Sequence, residues 1–130
     1  MSGRPLPGPD EDTAFFWAAT AQGRLEILRC ADCRTWVHYP RPACRHCGGR
    51  TLAPETVSGR ATIHSFTITH RPVPGFENPF NVILVELEEQ PGLRMVSNLI
   101  EGDPAIGMPV EVTFERITDE VTLPLFRRRA

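Results

Sequence analysis

All four cysteines of this chain fall in two C-x-x-C pairs, Cys30–Ala31–Asp32–Cys33 and Cys44–Arg45–His46–Cys47, with ten residues between them. A C-x-x-C turn brings two sulfurs to one side of a tight loop. Two such loops facing each other supply the tetrahedron of thiolates that a structural zinc ion prefers. Gly48 and Gly49 follow the second pair, where a knuckle needs positive φ and a close backbone approach. Arg34 stands at the matching place after the first pair, which gives that knuckle the less ideal turn. Disulfides would need an oxidising compartment, a redox dithiol would not need a second pair, and iron is the remaining alternative. Zinc is the expected metal. With four ligands the site is closed, leaving no position for substrate or activated water, so the metal builds rather than catalyses. The nearby His38 and His46 are not expected to be ligands, because four sulfurs already complete the tetrahedron.

Four thiolates on a divalent ion leave about two negative charges by oxidation-state count. Between Arg24 and Thr56 stand six arginines against Glu26, Asp32 and Glu55. That excess could offset the cluster charge, or it could be an ordinary solvated face. All 14 basic residues are arginine, so lysine chemistry is excluded within the chain.

At 130 residues the chain suits one domain, or a small module stapled to a larger one. No apolar run approaches the length of a membrane span, and no export signal is legible at the N-terminus, so no membrane association and a cytoplasmic location are expected. Residues 1–11 read as a flexible, proline- and glycine-rich tail. Residues 12–23 read as a short helix, capped by Asp12 or Thr13 and ended at Gly23. Phe15, Phe16 and Trp17 are adjacent, so they cannot share one helical face. The trio could lie across the rest of the fold, or form half of a protein–protein interface.

Residues 24–56 read as the zinc ribbon, with Leu25–Ile27 leading into the first knuckle and Trp36–Tyr39 leading out. Residues 57–130 are β-rich. Arg60–Thr69 lacks one clean alternation, as a bent first strand would. Asn81–Glu88 puts Ile83, Val85 and Leu87 on one face. Leu93–Leu99 follows after the turn at Gln90–Gly92, Val110–Glu115 alternates cleanly, and Val121–Leu125 carries Pro124 as an edge or exit. The fold class is mainly β: a short N-terminal helix, a rubredoxin-like zinc ribbon and a five-stranded OB-fold Greek-key barrel. An SH3-like barrel is the alternative.

An OB-fold with a zinc ribbon suggests nucleic acid, but the charges argue against it. From Val57 to Ala130 seven arginines face ten acidic residues, whereas phosphate-backbone binding needs a basic stripe. No nucleophile elbow, phosphate-cradling glycine loop or H-E-x-x-H motif is present. His64 and His70, the histidines of the β region, do not read as general bases. The chain is therefore expected not to catalyse alone.

The order Phe16–Trp17, Gly23–Arg24–Leu25, the two cysteine pairs enclosing Tyr39–Pro40–Arg41–Pro42, Gly59–Arg60–Ala61–Thr62, Ser65–Phe66–Thr67, Val85–Glu86–Leu87 and Gly107–Met108–Pro109–Val110 carries a resemblance. From about residue 12 to 128 the chain resembles a family of small acyl-CoA-associated proteins, built from an N-terminal helix, a zinc ribbon and an OB-fold and long catalogued as a domain of unknown function. The resemblance implies a non-catalytic partner of a thiolase-fold enzyme in a hetero-oligomer, with acyl-CoA at the shared site. Partners in the family include thiolases, hydroxymethylglutaryl-CoA synthase and aldolases that shorten steroid side chains, and some members are fused to hydratase-like domains. A free-standing chain and an excised domain are both compatible with it. Some relatives lack the cysteines, which fits a structural metal. A nucleic-acid-binding OB module and a free-standing acyl-CoA carrier are the competing functions.

The segment from His70 to Phe80 joins the first two barrel strands, the place where OB-folds commonly bind ligands. Its prolines stiffen it, and Phe76 and Phe80 are costly to leave in water. Phe15, Phe16, Trp17, His70, Arg71, Phe76 and Phe80 are thus the expected contacts to a partner or acyl-CoA, with Arg71 available to a phosphate or carboxylate. The alternative is that both phenylalanines cap the barrel's open end.

Overall fold

The computed structural model describes residues 6–8 and 10–129, so most of the expected tail lies outside the described residues. Helix α1 spans Ala14–Thr20, shorter than the expected 12–23. Its N-terminus is not held by the side chain of Asp12 or Thr13. Asp10 Oδ1 instead accepts from the Asp12 and Thr13 amides, each at 3.0 Å, one turn earlier than expected. Gly23, at φ 76°, ends the helix region, and the Arg24 amide reaches back to the Ala19 carbonyl at 2.9 Å. Of the aromatic trio, Phe16 is buried in the main core, while Phe15 and Trp17 pack half-buried against it. Trp17 also touches a second cluster formed by Val121, Leu123 and Leu125.

The ribbon is a three-stranded antiparallel sheet in the order β2–β1–β3. Strand β1 (Leu25–Cys30) enters the first knuckle, β2 (Trp36–Val37) leaves it, and β3 (Leu52–Val57) returns on the other side. Pro54 lies within β3, where it pairs with Leu28. An edge strand tolerates a proline because one side of it needs no donor.

Five strands follow: β4 (Arg60–Thr69), β5 (Phe80–Leu87), β6 (Arg94–Ser97), β7 (Pro109–Arg116) and β8 (Thr122–Arg128). Their order is β6–β5–β4–β7–β8. A parallel bridge from Leu99 to Phe126 curls the sheet round so that β8 meets the end of β6. That closure and strand order make the OB-fold. The bend expected in the first strand occurs as a register shift between Ile63 and Ser65, with His64 at the irregularity. Ile83, Val85 and Leu87 are all essentially inaccessible, as their alternation predicts. Pro124 sits at the closing seam, where its carbonyl accepts from the Ser97 hydroxyl at 2.8 Å.

The core is continuous across ribbon and barrel. Leu25, Ile27 and Trp36 of the ribbon pack in the same cluster as Ile63, Val85 and Phe126. Two side-chain amides act as strand surrogates where backbone pairing stops. Asn81 bonds both the amide and the carbonyl of Leu99, at 2.7 and 2.9 Å. Gln90, in the β5–β6 turn, does the same to Trp36, at 2.9 and 3.1 Å. Gly59 (φ 84°) joins ribbon to barrel so closely that a Cβ there would strike the Val112 side chain.

Candidate functional site

The two knuckles are near-copies. The Arg34 amide bonds the Cys30 carbonyl and the Gly48 amide bonds the Cys44 carbonyl, both at 2.9 Å. The Cys30 and Cys44 amides in turn reach the Thr35 and Gly49 carbonyls, at 2.9 and 2.8 Å. Each turn passes through the left-handed region, by Gly48 at φ 78° and by Arg34 at φ 65°. The arginine therefore carries strain that the glycine does not.

All four sulfurs lie within 4.8 Å of one another, with Cys30–Cys47 and Cys33–Cys44 each at 3.6 Å. A zinc ion bonded at ~2.3 Å to four sulfurs would space them at ~3.8 Å. The Gly49 and His46 amides donate to Cys47 and Cys44 Sγ at 3.3 and 3.4 Å. A Cβ at Gly49 would strike Asp32 Oδ2 at 2.5 Å and crowd Cys47 Sγ and Cys30 Sγ at 3.2 and 3.3 Å, so glycine suits this place beside the sulfurs. Neither His38 nor His46 joins the cluster.

Without a cation the thiols compete for protons. Hydrogen bonds from Thr35 hold Cys33 down to about 6. The Gly49 amide favours the Cys47 thiolate, yet the Cys33 and Cys30 sulfurs push Cys47 up to about 12. A divalent ion removes that conflict by stabilising all four thiolates together. The donor set, spacing and amide contacts fit structural zinc. Of the six nearby arginines, Arg29 and Arg34 pair with Glu55, at 3.4 and 3.0 Å, and Arg24 pairs with Glu26 at 3.2 Å. Arg29 also stacks over Trp36, 4.5 Å from the ring centroid. Three of the six arginines are therefore engaged with carboxylates.

A groove of about 430 Å³ opens about the other end of the ribbon. Helix α1 contributes Phe16 and Trp17, the chain leaving β2 contributes His38–Pro40, and the β4–β5 loop and β5 contribute Phe76, Phe80 and Val82. Met95–Asn98 of β6 and its margin and Leu123–Leu125 of β8 complete the lining. Phe76 and Phe80 stack at 4.7 Å, and Phe16 packs edge-on to Trp17 at 5.0 Å. Tyr39 is 57% exposed and Val96 53%, so the lip of the groove is apolar and open. His38 lies between Phe16 and Tyr39, with ring centroids at 6.2 and 4.1 Å. Burial there lowers it to about 4, so the imidazole is neutral at pH 7.

Four of the seven expected contacts thus meet in one groove: Phe16, Trp17, Phe76 and Phe80. Phe15 packs against the core instead, while His70 and Arg71 are exposed on the loop outside the lining. His38, Tyr39, Met95 and Val96 are lining residues that the sequence reading missed.

Residues 17–53 match the family described as the ChsH2 rubredoxin-like zinc ribbon domain, and residues 54–115 the ChsH2 C-terminal OB-fold domain. A solved structure described as the Ltp2-ChsH2(DUF35) aldolase superposes with a TM-score of 0.85 at 41% identity, covering 95% of this chain and 98% of that one. The chain belongs to the ChsH2-type DUF35 family. Two longer relatives are also similar to it. The probable enoyl-CoA hydratase alpha subunit of Thermomonospora curvata is 42% identical over 128 residues, 95% of this chain and 40% of the relative. The 3-oxo-4,17-pregnadiene-20-carboxyl-CoA hydratase alpha subunit of Mycobacterium tuberculosis is 43% identical over 112 residues, 83% of this chain and 35% of that one. The chain therefore spans well under half the length of these two relatives. Among the described residues no helix is long and apolar enough to cross a membrane.

Proposed function

We propose that this DUF35 chain is a non-catalytic accessory subunit of a thiolase-fold enzyme acting on acyl-CoA thioesters, a thiolase or a steroid side-chain aldolase. The groove would be the face that meets the partner or completes its acyl-CoA channel. One observation carries the reading: Phe16, Trp17, Phe76 and Phe80, from elements far apart in sequence, converge on an open apolar groove with Tyr39 and Val96 at its lip. Apolar aromatic surface of this kind is costly in water and is enriched at the centres of interfaces. The likeness to the aldolase structure supports the partner class. The closed zinc site supports the division of labour, since it leaves the nucleophile and base to the partner. A second reading, supported by the hydratase alpha subunits, attaches this unit to a hydratase of the same acyl-CoA class.

Purification with the proteins encoded beside it tests both. A stoichiometric thiolase-fold partner, with acyl-CoA turnover by the complex and none by this chain alone, is the expected result. A hydratase in its place favours the second reading, and turnover by the isolated chain overturns both. The double change Phe76→Ala with Phe80→Ala should weaken partner binding or activity about tenfold or more, while the isolated chain's melting temperature stays nearly unchanged. A large fall in that temperature assigns the pair to capping the barrel.

A further inference from the structure

Seven arginines pair with carboxylates; among the described residues Arg41, Arg45, Arg50, Arg71, Arg128 and Arg129 do not, and of these Arg41 and Arg45 come together. Both line a second concavity, of about 340 Å³, together with His46. Its other walls are residues Thr35–His38 of the ribbon and the β5–β6 turn at Gln90, Gly92 and Leu93. No carboxylate lines it. In a chain of formal net charge −2, two uncompensated guanidinium groups at one concave place are a local reversal of sign. The fold does not need them, since Arg41, Arg45 and His46 are all exposed. Their planar donor forks match phosphate oxygens in geometry as well as charge.

The position matters as much as the charge. His38 lines this concavity and the apolar groove, so the two hollows meet at one side chain. One hollow suits an anion and the other an apolar arm. We infer that Arg41 and Arg45 form a phosphate subsite, and that its ligand is a phosphorylated molecule whose apolar arm crosses His38 into the groove. An acyl-CoA has that chemistry. Only the choice of acyl-CoA rests on the accessory-subunit reading, because the subsite belongs to this chain alone. The competing role for Arg45, beside Cys44, is neutralising the tetrathiolate, and it predicts metal loss when the charge is removed.

The test titrates the zinc-loaded full chain with pyrophosphate, coenzyme A and octanoyl-CoA, followed by calorimetry and by the His38 ring signals. Octanoyl-CoA should bind about tenfold tighter than coenzyme A, pyrophosphate should compete with both, and His38 should respond to the acyl form. R41Q/R45Q should weaken coenzyme A and pyrophosphate about tenfold with zinc content unchanged. Y39S should remove only the gain from the octanoyl chain. Absence of coenzyme A binding, equal binding by R41Q/R45Q, no gain from the octanoyl chain, or zinc loss in R41Q/R45Q would each overturn the inference. Co-purification of the partner with wild type and R41Q/R45Q is scored separately. A missing partner for wild type therefore counts against the accessory-subunit reading and not against the subsite.

Discussion

Around the four cysteines the apolar cluster consists of Cys30, Val37 and Cys44, with Leu28, Cys33 and Leu52 at its edge. The barrel, by contrast, buries Ile63, Ile83, Val85, Leu87, Val110 and Phe126 in a cluster that also takes in Leu25, Ile27 and Trp36 from the base of the ribbon. The two regions are held by different forces. A barrel of this kind is stabilised by apolar area removed from water, roughly 1.5–3 kcal/mol for each large side chain. The ribbon tip buries too little to order two knuckles, and half its cluster is ligand sulfur. Structural zinc contributes on the order of 10 kcal/mol of apparent binding free energy. The boundary between the two regimes runs through β1, whose Leu25 and Ile27 belong to the barrel's core and whose Cys30 belongs to the metal.

The largest expected effect follows from that boundary. Chelating the metal, or Cys30→Ser, should abolish amide exchange protection at residues 30–35 and 44–51 while protection persists in β4, β5 and β7. Aggregation and poor expression should follow from the disordered tip. The reciprocal change, Phe126→Ala, should cost about 3–5 kcal/mol of global stability, with zinc content per folded molecule unchanged. Simultaneous loss of ribbon and barrel protection on chelation would break the division, and so would well-folded protein that contains no metal.

The features that could be read from sequence were the local ones. Two C-x-x-C pairs declare a metal site by spacing alone. The alternation of Ile83, Val85 and Leu87 and the broken alternation of Arg60–Thr69 declared a straight strand and a bent one. What escaped depends on residues distant in the chain. Strand β3 was hidden by Pro54, which only an edge position excuses. The helix is held from Asp10 rather than Asp12 or Thr13, because the turn preceding Ala14 starts further upstream. The groove was half legible. Its phenylalanines stand out in a polar loop, but Met95 and Val96 join them only through closure of β8 against β6. His38, which the sequence reading set aside as a metal ligand and gave no other role, is a neutral wall between two hollows.

His38 sharpens the comparison through pH. Its ordinary value is 6.5 and burial lowers it to about 4. The unfolded chain therefore takes up a proton that the folded chain refuses. Stability associated with His38 is complete above pH 6.5, falls as the pH drops from 6.5 to 4, and falls no further below that. The full difference is about 3 kcal/mol at most, by the conversion of roughly 1.4 kcal/mol per unit. The measurement compares wild type with His38→Phe in chemical denaturation across this interval. The variant should lose less stability on acidification, with carboxylate and thiolate contributions common to both. Parallel curves would place His38 in water and remove the dry wall between the hollows.

The smallest effect concerns the joint itself. Trp36 is only 8% exposed, and on its outer edge β2 has no further strand. Gln90 supplies what a strand would, an acceptor for the Trp36 amide at 2.9 Å and a donor to its carbonyl at 3.1 Å. Gln90→Ala leaves both groups poorly satisfied and should cost about 1–3 kcal/mol, with zinc retained and β4–β5 protection intact. Gln90→Glu is the more telling change. It keeps the acceptor but sets a carboxylate against the Trp36 carbonyl, so it should be at least as destabilising as alanine despite its matching shape. If Gln90→Glu is as stable as wild type, the amide is not what joins the turn to the ribbon, and the shared core of Ile27, Trp36 and the barrel must hold the two regions together without it.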